Sequence, residues 1–256
     1  ASNEVHDIGI HLDQKGSNSF FETNNIKLKE TFIKASELSE LNFESILDAV
    51  SQDSDIMFFF DYGVLYDENR NIGVGHVRYS TAGSSTRENA QPLVLNYVKG
   101  ILGLAHNGNL INANQLKNEL AYTGAIFQTT IDSEVIAYLI ARERLQCRSV
   151  EEALCRACRK LLGAYSLVVM SPRKLLGARD PFGFRPLCIG KRGNAYMLAS
   201  ETCALDTIGA EFVRDVEPGE IVSITPDGIE SDRSMCKKKK KQARCIFEYI
   251  YFARPD

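Results

Sequence analysis

Three short stretches hold side chains that could bind and polarise a small molecule. In GHVRYSTAGSS (75–85), Arg78 is followed by Ser80 and Thr81. A guanidinium offers a carboxylate two parallel charge-assisted bonds, and a hydroxyl beside it adds a neutral donor; the alternative use is a structural ion pair. In LAHNGNLINA (104–113), Asn107-Gly108 follows an apolar run. A side-chain amide beside a free backbone N–H can form an oxyanion hole for a carbonyl oxygen that gains negative charge, and glycine lets that backbone approach a substrate. The same dipeptide also suits a two-residue type I′ hairpin turn. In TTIDSEVIAYLIA (129–141), Asp132 can cap the helix that follows it or accept an ammonium group. Taken together, a carboxylate fork, an oxyanion hole and an ammonium acceptor describe a pocket for a free α-amino acid whose side-chain carbonyl is attacked.

Such a pocket needs strands and helices that end near one another. Apolar runs predict strands at Gly73 to Tyr79 and Ile101 to Ala105, with a further buried strand at Ile56 to Phe60. Helical spacing is present around Phe43 to Val50 behind Asn42, at Asn114 to Tyr122, and at Ser133 to Arg144. Ser149 with Glu152 three residues on makes a capping box, opening a helix that contains the Cys155 to Cys158 stretch CRAC. Beyond it come short strand-like runs at Ala164 to Met170, Leu175 to Arg179, Leu187 to Gly190, Ala195 to Ala199 and Glu220 to Ile224, separated by Gly, Pro and Asp turns. Strands, then helices, then strands predict a layered α+β fold in one domain.

Composition narrows the function. Lys plus Arg is 30 and Asp plus Glu is 33 in 256 residues, for a net charge of −3, so no general attraction to nucleic acid is expected. No apolar run approaches the ~20 residues that cross a bilayer, and the N-terminus lacks a basic then apolar leader. A cytoplasmic protein without membrane contact is expected. Seven scattered cysteines fit buried thiols in a reducing compartment. CRAC has no second pair at zinc spacing and reads as an interior thiol pair. Lys237 to Lys241 reads as a solvated loop, and His76 and His106 as packed rings at strand borders.

GHVRYSTAGSS, LAHNGNL, DSEV, RDPFGFRPL, FVRDVEPGEIV and FEYIYFARPD closely resemble the class II glutamine amidotransferase domain of the amidophosphoribosyltransferase family. The resemblance runs over residues 72–256, with residues 1–71 divergent, and it implies a type-2 amidotransferase domain spanning 1–256. The implied fold is the N-terminal-nucleophile hydrolase sandwich, an αββα arrangement of four layers. The implied activity is glutamine hydrolysis, feeding ammonia to phosphoribosylamine formation in purine synthesis. By the same resemblance Arg78 and Thr81 hold the glutamine carboxylate, Asp132 its α-amino group, and Asn107 with the Gly108 N–H the oxyanion. Tyr79 couples the glutamine site to the synthase site. Cys245 matches a [4Fe–4S] ligand of some relatives whose partner ligands lie in a further domain, so no cofactor is expected in this chain; a cluster and Mg belong to the full-length parent. Implied partners are glutamine, a C-terminal phosphoribosyltransferase domain, and further copies in a homo-oligomer.

The family's nucleophile is an N-terminal cysteine whose own amine is the base. This sequence begins Ala1-Ser2-Asn3-Glu4 and has no cysteine before Cys147, so the chain as it stands is expected to be inactive on glutamine. A truncated or rearranged N-terminus, an engineered one, and a binding-only descendant are all compatible with it. Nor does the chain contain an apolar run ending in paired aspartates and a phosphate loop, so phosphoribosyl transfer is not expected of it. Two alternatives remain at this point: a non-catalytic glutamine-binding or regulatory module on the same scaffold, and another class II amidotransferase.

Overall fold

The apolar runs and turn residues fold into strands and helices that stack in layers, and the computed structural model describes them at residues 22–23, 26–27, 56–57, 63–67, 72–76, 89–236, 243 and 246. The first strands are β1 (Glu22–Thr23), β2 (Ile26–Lys27), β3 (Ile56–Met57), β4 (Gly63–Asp67), β5 (Ile72–His76), β6 (Leu93–Tyr97) and β7 (Gly100–Leu110). Helices α1 (Ala113–Tyr122), α2 (Asp132–Arg144) and α3 (Val150–Cys158) follow. The remainder is β8 (Gly163–Ser171), β9 (Lys174–Arg179), β10 (Cys188–Arg192), β11 (Ala195–Ala199), α4 (Thr202–Thr207), β12 (Glu211–Asp215), β13 (Ile221–Thr225) and β14 (Gly228–Asp232).

One sheet has the order β14-β13-β9-β8-β7-β6, and all its pairs are antiparallel. A second has the order β12-β10-β11-β3, antiparallel except where β3 joins β11 in parallel. Alternation along each strand assigns side chains to layers. From the six-stranded sheet Leu102, Leu104, Leu167, Val169, Leu176 and Ala178 pack with the helices. Their neighbours Ile101, Ala105, Val168, Met170, Leu175, Val222 and Ile224 face the other way, against Ile189 and Leu198 of the second sheet and Ile72 and Val74 of β5. The sheets approach so closely that a Cβ on Gly177 would stand 2.8 Å from Leu198 Cδ1. On the outer face of the second sheet Cys188, Met197 and Ala199 pack with Leu205 of α4. The order of layers is helices, sheet, sheet, helix, which is the αββα sandwich the sequence implies.

α2 is the central helix of its layer. Val135, Ile136, Ala137, Leu139 and Ile140 are all buried, and a helix covered on most sides is held by packing rather than by propensity. Each fully buried Leu or Ile contributes about 1.5–3 kcal/mol of transfer free energy. α3 opens as its capping box predicts, with Ser149 Oγ accepting the Glu152 N–H at 3.2 Å. It stops at Cys158; Leu161 beyond it is buried and Leu162 is exposed. The strand read at 101–105 continues to Leu110, and the predicted strand at 56–60 is described only at Ile56–Met57. The helix predicted around Phe43 to Val50 lies outside the described residues.

Candidate active site

β7 carries the candidate oxyanion residues inside its length. Asn107 pairs with Ser166 and Gly108 with Tyr165, and the register runs on to Leu110 opposite Gly163, so Asn107-Gly108 is not a hairpin turn. The dipeptide sits in a long antiparallel ladder whose turn lies elsewhere. Gly108 has φ +146°, and a Cβ there would stand 2.1 Å from the Ala164 carbonyl oxygen. That clash alone demands glycine, so its presence says nothing about a substrate. Asn107 is more telling, because its amide is half-buried and makes no hydrogen bond among the described residues.

Asp132 meets this strand from the helix layer. Its Oδ2 accepts the Leu110 N–H at 2.9 Å, and its Oδ1 lies 3.5 Å from His106 Nδ1. The structure corrects the capping alternative: the N-cap of α2 is Ile131, and no side chain caps the helix. The carboxylate is drawn away to β7, where a strand N–H has no ladder partner to take. Burial, the largest influence on Asp132, pushes its pKa up, but the His106 contact and the Leu110 N–H outweigh it and hold the group below the ordinary aspartate value. An ionised carboxylate, 12% exposed and with lone pairs left beyond these two contacts, is equipped to receive an ammonium group. His106 and Asn107 are consecutive in a strand and therefore leave it on opposite faces, His106 toward α2 and Asn107 toward the second sheet.

The supports of this corner come from residues that sequence reasoning passed over. Gln91 Oε1 accepts the His106 N–H at 2.7 Å. Asn89 donates to Thr130 Oγ1 at 2.9 Å and accepts the Thr130 N–H at 3.0 Å. Both amides are buried, so one short segment ties β7 to the loop that enters α2. The loop is fixed from the other side by Glu134, which accepts the N–H groups of Gln128 and Thr129 and the Thr129 hydroxyl. The only signal in the sequence was amide side chains at positions 89 and 91, just before Pro92, where a surface turn reads equally well.

RDPFGFRPL forms a turn at the end of β9, fixed by its own backbone and by Val216 and Tyr165. Arg179 donates to the carbonyls of Arg185, Val216 and Gly183 at 2.7, 2.8 and 3.0 Å. Asp180 accepts from Phe182 and Phe184 N–H at 2.9 Å, and more weakly from Tyr165 and Arg185 at 3.4 Å. Burial makes Cys147, Cys158, Cys188 and Cys236 poor nucleophiles by pushing their thiols up. Cys155 and Cys158 are buried in α3, and burial pushes the thiols of Cys158 and Cys188 up to about 12. Among the described residues no group of three or more His, Cys, Asp or Glu could hold a metal ion, and no helix is long and apolar enough to cross a membrane.

Arg78, Tyr79, Ser80, Thr81 and Cys245 lie outside the described residues. The strand leading to the first four is described: β5 ends at His76 and packs against β7 and β8.

An αββα sandwich with an amide on β7 that is unpaired among the described residues, and an ionised carboxylate from α2 held against that strand, is the frame of an N-terminal-nucleophile hydrolase of amidotransferase type. A family model described as a glutamine amidotransferase domain matches residues 76–207, and the chain belongs to that family. It is 42% identical over 230 residues to an amidophosphoribosyltransferase of Methanocaldococcus jannaschii, covering 81% of this chain and 49% of that protein. The Bacillus subtilis amidophosphoribosyltransferase is 44% identical over 198 residues, covering 77% and 41%. Among solved structures, a B. subtilis glutamine phosphoribosylpyrophosphate amidotransferase complexed with ADP and GMP superposes with a TM-score of 0.65 at 44% identity, over 71% of this chain and 38% of that one. A structure described as the allosteric regulatory enzyme of purine biosynthesis gives 0.66 at 46% identity, over 71% and 38%. The chain spans about half, or less, of the length of the relatives it matches.

Proposed function

We propose that residues 1–256 form the glutamine amidotransferase domain of an amidophosphoribosyltransferase; with the nucleophilic cysteine that these residues do not supply, the full-length protein hydrolyses glutamine and passes ammonia to a phosphoribosyltransferase domain for phosphoribosylamine formation in purine synthesis. The observation that carries this reading is the ionised Asp132 held against β7 at Leu110, two residues from Gly108 and three from Asn107. In it Asp132 receives the α-ammonium of glutamine. The Asn107 amide and the Gly108 N–H stabilise the charge that develops on the side-chain carbonyl oxygen, where a preorganised donor acts without reorganising. Arg78 and Thr81, at the chain's exit from β5, take the α-carboxylate, and Tyr79 couples this site to the acceptor site. The level of identity to amidophosphoribosyltransferases supports the purine enzyme over other class II amidotransferases.

The test is glutamine-dependent ammonia release by the full-length protein. Arg78→Lys keeps the charge but cannot make the paired contact with a carboxylate. Loss of one charge-assisted bond costs about 1.5–3 kcal/mol, roughly ten- to a hundredfold in KM for glutamine. Unchanged KM in Arg78→Lys would remove the arginine from the site, and a protein that binds glutamine without releasing ammonia would be a binding module.

A further inference from the structure

His106 stands apart from the other buried polar side chains. It is 4% exposed, its Nδ1 lies 3.2 Å from Ser133 Oγ and 3.5 Å from Asp132 Oδ1, and its Nε2 is buried without a hydrogen-bond partner among the described residues. A neutral imidazole carries its proton on one nitrogen only. Facing an ionised carboxylate, Nδ1 must carry it, since a lone pair there would repel Oδ1. Nε2 is then a buried acceptor with no donor, a state that normally costs stability and that packing alone does not demand. Leucine or phenylalanine would fill the same space without that cost.

We infer that His106 is a positioning residue for Asp132: its Nδ1–H holds Oδ1 while the Leu110 N–H holds Oδ2, so the carboxylate stays fixed with its remaining lone pairs turned to the ammonium of the substrate. The inference rests on the proposed role of Asp132. Two anchors on two different oxygens stop the carboxylate from rotating about its last torsion. Ser133, the next residue of α2, accepts from the same Nδ1 and aligns the ring. A contact of 3.5 Å is long, and contacts of this kind tighten when a ligand arrives.

The experiment compares glutamine with 5-amino-5-oxopentanoate, which lacks the α-amino group, in the full-length protein. KM is measured for the first, and the inhibition constant against glutamine hydrolysis for the second. Asp132→Asn is the control, expected to weaken glutamine at least tenfold and the analogue hardly at all. His106→Leu is expected to show the same selectivity at about tenfold, the loss of one charge-assisted bond, with kcat much less affected than KM. His106→Asn keeps an N–H near the position of Nδ1 and should restore most of the affinity. His106→Gln puts its amide near Nε2 and should not. The contrast between Asn and Gln decides the matter even if His106→Leu does not fold. Equal weakening of both ligands by the His106 variants, or no difference between Asn and Gln, overturns the positioning role while Asp132→Asn still discriminates. If Asp132→Asn fails to discriminate, the assignment of Asp132 falls and the role of His106 with it.

Discussion

Asp132 and Asp180 meet neighbouring strands of the main sheet, Asp132 at Leu110 of β7 and Asp180 at Tyr165 of β8, and are used in opposite ways. Asp132 touches β7 through one N–H and one imidazole. Asp180 is fully buried and takes four backbone N–H groups of its own turn and of β8. In both, burial is the largest influence on the pKa. At Asp132 the His106 contact and the Leu110 N–H prevail and the value falls, while at Asp180 burial outweighs all four N–H groups and the value rises. A carboxylate saturated by its own chain has nothing left to offer a ligand. One held at two points with spare lone pairs does.

The comparison can be broken from either side, and the largest effect is expected at the oxyanion donor. Asn107→Ala should lower kcat for glutamine hydrolysis by about 10²–10³-fold while leaving the unfolding midpoint nearly unchanged, because the amide bonds nothing in the described residues. A large loss of stability instead would make Asn107 structural. Asp180→Ala should do the reverse. The part-buried N–H groups of Phe182 and Phe184 lose their acceptor, which costs on the order of 2 kcal/mol in denaturant unfolding, with kcat and KM of the folded protein changed little.

Gln91→Leu falls between the two. It leaves the His106 N–H without an acceptor, costing about 1–2 kcal/mol, and it should raise KM for glutamine as well, because the bond lies directly behind His106. The smallest effect is the pH dependence of Asp132. Its folded pKa is depressed, so its contribution to stability is present above the unfolded value and lost as pH falls through the folded one. Urea midpoints of wild type and Asp132→Asn should therefore differ at neutral pH and converge below about pH 4. Curves that stay parallel would mean that Asp132 is not ionised in the folded protein.

How far the sequence reached can be seen element by element. Strong periodicity at 133–144 and the capping box at Ser149 predicted α2 and the start of α3 nearly to the residue, because those signals are local. The edge strand β14, with the sequence GIESD, carried too little apolar pattern to be seen, since its order comes from pairing with β13. Asn107-Gly108 misled as a turn because a glycine forced by a neighbouring strand carries the same letters as a glycine forced by a hairpin. Gln91, Asn89 and His106 were passed over for the same reason: each acts on a residue at least 15 positions away.

By itself the sequence determined the chemistry available: an arginine with hydroxyls, an amide beside a glycine, an aspartate at a helix start, and motifs in the order of a glutamine amidotransferase domain. Tertiary structure alone decided which of these groups are spent. A side chain becomes structural when backbone donors or acceptors from distant segments saturate it, as they do Asp180, and stays available when packing brings it only part of its partners, as at Asp132. That balance depends on which strands and loops converge, and no local stretch of sequence encodes it.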